Sequence, residues 1–198
     1  MRAKPVVFRT KTMIGLLAAF LTIAALSAYA FEKYETIDAT ATGTSTQMGR
    51  MGTVRLIIYN YSSPEDRKTL VDAFQTGQNQ GLVNALEKMK AVGRVQIPGT
   101  LGYDVAFIRE IKTPTGRKVR FVTNRKISFG EARSNSQSQD FNLSAGEFDI
   151  NEQDKNKSGG VLYPAAQLVI NKDGELQIEL RKNAWKLVNV IVYPKDKE

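Results

Sequence analysis

Five carboxylates in the second half of the chain, Asp104, Glu110, Glu131, Glu147 and Asp149, are the side chains best suited to chemistry. Two acids at a fixed separation can hydrolyse a glycosidic bond, one supplying a proton while the other activates water or attacks. Few other catalytic means exist. The chain has no histidine and no cysteine. This excludes Ser-His-Asp and Cys-His nucleophilic catalysis, ordinary zinc sites, haem ligation by His and disulfide exchange. Ser-x-x-Lys, Gly-x-Gly-x-x-Gly and Gly-x-x-x-x-Gly-Lys runs do not occur either.

The carboxylates also have a plainer explanation. Glu147 and Asp149 alternate with Phe148 and Ile150, as on a strand with one solvated face. Glu110 is expected to face Arg120 across a hairpin. Asp154-Lys155-Asn156-Lys157-Ser158-Gly159 begins like a calcium loop, but Ala165 stands where the bidentate Glu belongs and Pro164 opposes an exiting helix. A polar turn accounts for these residues, and no metal or other cofactor is expected. Lys112, Arg117, Lys118, Arg120, Arg125 and Lys126 crowd one hairpin. Such a cluster can attract an anionic polymer or lipid surface. It also suits a solvated strand face whose lysines discourage edge pairing, and that is the expectation.

A different signal occupies the N-terminus. Arg2, Lys4, Arg9 and Lys11 precede an uncharged, apolar run from Met13 to Ala30 that ends in Ala28-Tyr29-Ala30. Ala28 and Ala30 provide the small side chains that signal peptidase requires, so residues 1–30 read as a secretory signal peptide. The alternative is an uncleaved anchor, because the run reaches the lower edge of the roughly 17–25 residues that span a bilayer. The protein is therefore expected to be secreted or periplasmic, with no integral membrane domain once the signal is removed.

Cleavage leaves 168 of the 198 residues, enough for one domain, which must be held by packing without disulfides. Four of the 28 Lys and Arg precede residue 31 and all 20 acids follow it, so the net charge falls from +8 to +4. A surplus this small and dispersed does not point to nucleic acid.

The elements that would position these residues begin with a Thr-, Ala- and Gly-rich stretch. Residues 31–53 are expected to form a flexible leader, or a strand carrying little packing information. A single domain over 54–194 would follow, opened by the strand Val54–Tyr59. Ser63-Pro64-Glu65-Asp66 is a helix start: a capping hydroxyl, Pro at the first position and acids on the positive end of the dipole. Gly77 is a stop, and Leu82, Val83, Leu86 and Met89 suit a second helix over about residues 79–90. Around Thr113-Pro114-Thr115-Gly116, a three-residue loop would pair Ile111 with Val119 and Glu110 with Arg120. Around Lys172-Asp173-Gly174, Ile170 would face Leu176 and Leu168 would face Ile178. Around Lys182-Asn183, Ile178 would face Leu187, giving a C-terminal meander of three strands. Val188, Val190 and Val192 lie opposite to Trp185 and Leu187 in alternation, so the last strand is expected to be buried on both faces.

The expected fold is α+β: a predominantly antiparallel β-sheet with a two-helix hairpin packed on it, or alternatively a β-sandwich with a helical insertion. The run from Leu56 to Val92 with its Ser-Pro-Glu-Asp-Arg helix start, and the later Asp-Lys-Asn, Asn-Lys-Asp-Gly and Leu-Val-Asn-Val pieces, resemble a group of uncharacterised secreted bacterial proteins. That resemblance implies export from a bacterial cell and supplies no activity. The functional expectation is an exported, non-catalytic binding or interaction module for an envelope or extracellular component. The alternative is a carboxylate-based hydrolase of an extracellular polymer.

Overall fold

The computed structural model describes residues 34–44, 48–98, 101–124, 143–172, 176–179 and 184–195, all within the compact unit Tyr34–Glu198. The signal segment with Ala28 and Ala30, together with Arg125, Lys126 and Glu131, lies outside them.

Among the described residues are nine strands and one α-helical element. In chain order they are β1 (Glu35–Gly43), β2 (Met51–Ile58), α1 (Pro64–Lys88), β3 (Gly93–Gln96), β4 (Tyr103–Thr113), β5 (Gly116–Thr123), β6 (Leu143–Asn151), β7 (Gly159–Ile170), β8 (Leu176–Glu179) and β9 (Trp185–Tyr193). Every adjacent pair from β1 to β7 is antiparallel; β7 then pairs with β9 and β9 returns to β1. Eight strands thus close a barrel, and β8 pairs only with the far half of β7. Closure overturns both expected architectures: the protein is neither an open α+β sheet carrying a helical hairpin nor a β-sandwich.

An eight-stranded barrel is just wide enough for side chains to fill it. Here Ile37, Leu56, Ile108, Phe121, Phe148, Leu162 and Leu187 are fully enclosed, with Trp185 beside them. The rings of Phe121 and Phe148 lie 6.1 Å apart at 29°. Gly146, opposite Phe121 on β6, leaves room for that ring, since a Cβ there would collide with it. The outward positions of the same strands carry ion pairs such as Arg55–Asp38 at 2.7 Å.

Helix α1 starts as its sequence dictates. Ser63 Oγ accepts from Asp66 N–H (3.1 Å) and the Asp66 carboxylate accepts from Ser63 N–H (2.8 Å), a reciprocal cap. The element continues to Lys88 as a single unit, broken by non-helical dihedrals at Gly77 and Gln78. Leu70, Phe74, Leu82, Val83 and Leu86 bury themselves against Ala106 and Leu143 on the outer wall of the barrel. At that break the chain turns back on itself and brings Gly81 against Ala73, and both helical halves pack on the wall of a closed barrel, not on the expected open sheet.

The remaining differences come from pairing. Glu35–Gly43, expected as part of a leader, is a barrel strand with Ile37, Ala39 and Ala41 turned inward. The β4–β5 hairpin closes with Thr113 opposite Gly116, so Glu110 faces Val119 and Arg120 faces Arg109. That is one residue away from the expected register, and it reassigns every charged partner on the hairpin. Leu168 faces Ile178 and Ile170 faces Leu176 as expected. Leu187, however, faces Gly160 of β7 and Ala41 of β1, so there is no three-strand C-terminal meander.

Strand β9 is not buried on both faces. Asn189, at φ 53°, sits in a bulge opposite β1. The extra residue resets the alternation, so Leu187, Val190 and Val192 all turn toward the core while Ile191 is 52% exposed.

Candidate functional site

One end of the barrel gathers the first residue of β1, the β4–β5 turn, the β6–β7 connection and the last residues of β9. Glu35 shares the inward face of β1 with Ile37, Glu110 turns inward opposite Val119, and Arg117 lies on the inward face of β5 with Val119 and Phe121. Arg117 Nη1 donates to Glu110 Oε2 (2.8 Å), Tyr61 Oη (3.0 Å) and Glu35 Oε2 (3.3 Å). Its Nη2 donates to Glu35 Oε1, and Tyr61 Oη donates to Glu35 Oε2 at 2.9 Å. Burial opposes the Arg117 charge, but the two carboxylates outweigh it and raise its pKa further. Burial, reinforced by Glu35, also pushes the Tyr61 hydroxyl above its usual range.

Beside this cluster opens a cleft of about 560 Å³. Its cause is a mismatch of strand lengths. β7 begins at Gly159 and pairs with β9 only from Gly160 to Leu162, whereas β9 runs on beside β1 to Tyr193. The gap is bounded by the Asn151–Ser158 connection, where a 3-10 turn at Lys155–Lys157 is capped by Asp154. Ile150, Val190 and Val192 form its apolar side, and Arg117, Glu152 and Lys155 its polar side. Arg117 lines this cleft, with its Nε buried and without a hydrogen-bond partner, 3.8 Å from Glu152 Oε1. A second cavity, of about 70 Å³ between α1 and the wall, is lined mainly by Leu70, Leu86, Phe107 and Val122. It is far smaller than the roughly 300–1,000 Å³ of ligand pockets.

No protein family, curated protein or solved structure matches this chain. The side chains alone bear on its chemistry.

Of the acids singled out by sequence, Glu110 joins the buried cluster, and its partner is Arg117, not Arg120. Glu147 and Asp149 lie on the outer wall, held by Lys118 at 2.9 and 3.5 Å, with Arg120 also on Glu147. Asp104 stands 3.8 Å from Arg94. The basic hairpin therefore divides: Lys118 and Arg120 are offset by acids outside the barrel, and Arg117 turns inside. The Asp154–Gly159 run satisfies itself, with Asn156 N–H on Asp154 Oδ1 (3.1 Å) and Asp154 N–H on Asn151 Oδ1 (2.8 Å). Among the described residues, no three His, Cys, Asp or Glu side chains converge as a metal site, and no helix is long and apolar enough to cross a membrane.

Glu35 and Tyr61 were not singled out by sequence. The alternation of Ile37, Ala39 and Ala41 against Thr36, Asp38, Thr40 and Thr42 was the available signal; it places Glu35 at the end of an inward row.

The outer ion cluster gives a pH expectation. Burial alone would raise the Glu147 carboxyl, but hydrogen bonds from Arg120 and Lys118 hold it below the usual carboxylate range. A depressed folded pKa adds stability above the unfolded value of about 4.3, and this is lost as pH falls through the folded pKa. In urea titrations, Glu147→Gln should be less stable than wild type near pH 6, and the difference should shrink on acidification toward pH 3.

Proposed function

We propose that this protein is an exported, non-catalytic binding module, secreted or periplasmic, whose recognition site is the cleft between β9 and the Asn151–Ser158 connection. The observation carrying this reading is the cleft itself: about 560 Å³, with an apolar flank along β9 and a few polar groups opposite. That volume and lining fall within the ordinary range of binding sites. The remainder of the barrel interior is filled by packed side chains, which leaves recognition to its rim. Export is supported by the Arg/Lys, apolar, Ala-x-Ala order of residues 1–30, and a partner in the envelope or outside the cell follows from it.

A carboxylate hydrolase is supported less well. Glu35 and Glu110 do converge on Arg117, but Glu35 is engaged by that guanidinium and by the Tyr61 hydroxyl, and Glu110 by the same guanidinium. Neither acid is set out toward a substrate as acid and base must be.

Capture from envelope extracts tests the proposal. Immobilised protein should enrich a specific component, and Asn156→Trp, at an exposed position on the cleft rim, should abolish the enrichment without lowering the melting temperature. Equal capture by wild type and variant would place recognition elsewhere. No capture of any protein or glycan would remove the reading.

A further inference from the structure

The backbone on the β9 side of the cleft narrows the occupant. From Val188 to Tyr193, β9 is bonded to β1 on one side, while its ladder to β7 ends at Leu187. Six residues at about 3.3 Å each, shortened by the bulge at Asn189, give some 15–20 Å of strand edge on the cleft side. Backbone N–H and C=O groups demand partners, and a row of them at strand spacing is matched best by another strand. Side chains add a pattern. Val190 and Val192 turn inward and are partly buried against the core, and Ile191 turns outward and is half exposed. A strand laid on this edge would meet apolar contact on both of its faces.

Charge narrows it further. Arg117 already holds Glu35 and Glu110, with Glu152 nearby and Lys155 on the same side, so the charges around the cleft nearly balance and an uncharged occupant suits it. A second copy of the barrel fits less well. Its own β9 would arrive with β1 attached, a sheet and not a single strand to be seated in a cleft of about 560 Å³.

We infer that the open edge of β9, from Val188 to Tyr193, binds a short, uncharged, alternately apolar extended peptide, antiparallel to β9 and continuing the line of β7. This rests on the cleft being the recognition site and names the class of partner it takes.

The test is fluorescence anisotropy of the purified protein with a pool of labelled eight-residue peptides that alternate Val, Ile or Leu with Thr or Ser. Binding is expected, and it should weaken at least tenfold in Ile191→Lys, a substitution at an exposed position that puts a charge on the edge. Two derivatives of the tightest peptide, with one or the other set of alternate amides N-methylated, separate backbone pairing from pocket filling. Only one edge of an added strand bonds to β9, so one derivative should lose binding and the other keep it within about threefold. No binding by the pool, equal binding by both derivatives, indifference to Ile191→Lys, or a dimer through β9 in sedimentation would each overturn the inference. Loss of extract capture in Asn156→Trp alongside any of these results would still support the cleft as a recognition site, so the two readings fail separately.

Discussion

Replacing Arg117 with alanine is expected to destabilise the domain by about 3–5 kcal/mol, the usual cost of removing one partner from a buried ionic cluster. The guanidinium side chain is 17% exposed, and it holds Glu35 and Glu110, at 13% and 29%. Without it, two carboxylates share a poorly hydrated space, each disfavouring the other's charge. The sign of the pH dependence follows. Charge on both acids then repels without a counter-charge between them, so the variant loses stability as pH increases. The gap between wild type and variant should be widest at neutral pH and close as pH approaches about 4, where unfolded glutamates titrate. Arg117→Lys keeps the charge but loses the fork that reaches both acids and Tyr61, and should fall between. Replacing the whole cluster, Arg117→Met with Glu35→Gln and Glu110→Gln, should recover most of the loss, because no charge is then stranded. Urea midpoints across pH 4–8 read all of these. A pH-independent deficit in Arg117→Ala would show that packing, not charge, was lost.

The second large effect lies at the centre of the barrel. Phe121→Ala is expected to cost about 3–5 kcal/mol, the range for buried Phe truncations. Typical domains have only about 5–15 kcal/mol in total. The ring is fully buried, lies against Phe148 and sits over Gly146, between strands that the closed barrel keeps from collapsing inward. Gly146→Ala should by itself cost about 1–3 kcal/mol by overpacking. Joined to Phe121→Ala it should cost much less, because the new methyl enters the vacated space; a coupling of this kind marks direct contact. Trp185, the single tryptophan, is 4% exposed, so its emission should shift to longer wavelength on unfolding and report both variants. Additive effects of the two substitutions would contradict the ring-over-glycine contact.

Local chemistry was legible in the chain. Ser63-Pro64-Glu65-Asp66 carries its own cap, and the helix starts there, because the donor, acceptor and turn are within four residues. The β7–β8 register was legible because its partners lie close in sequence. The β4–β5 register was missed by one residue: apolar residues could be matched either way, and Glu110 opposite Arg120 made a plausible pair. What decided it lay elsewhere in the sequence. Arg117 must turn inward to meet Glu35, 82 positions away, and Arg120 outward to meet Glu147 on β6.

By itself, then, the sequence determined the absence of cysteine and histidine chemistry, the helix start, the strand-rich character of the chain and the basic-then-apolar order of residues 1–30. Only the tertiary structure decided that the sheet closes on itself, because closure depends on β1 meeting β9 and β6 meeting β7, and period-two alternation is identical in an open sheet and a barrel. It also decided the place of the cleft. β7 begins at Gly159 while β9 runs on to Tyr193 with a bulge at Asn189, and that mismatch becomes a gap only when the two strands lie side by side.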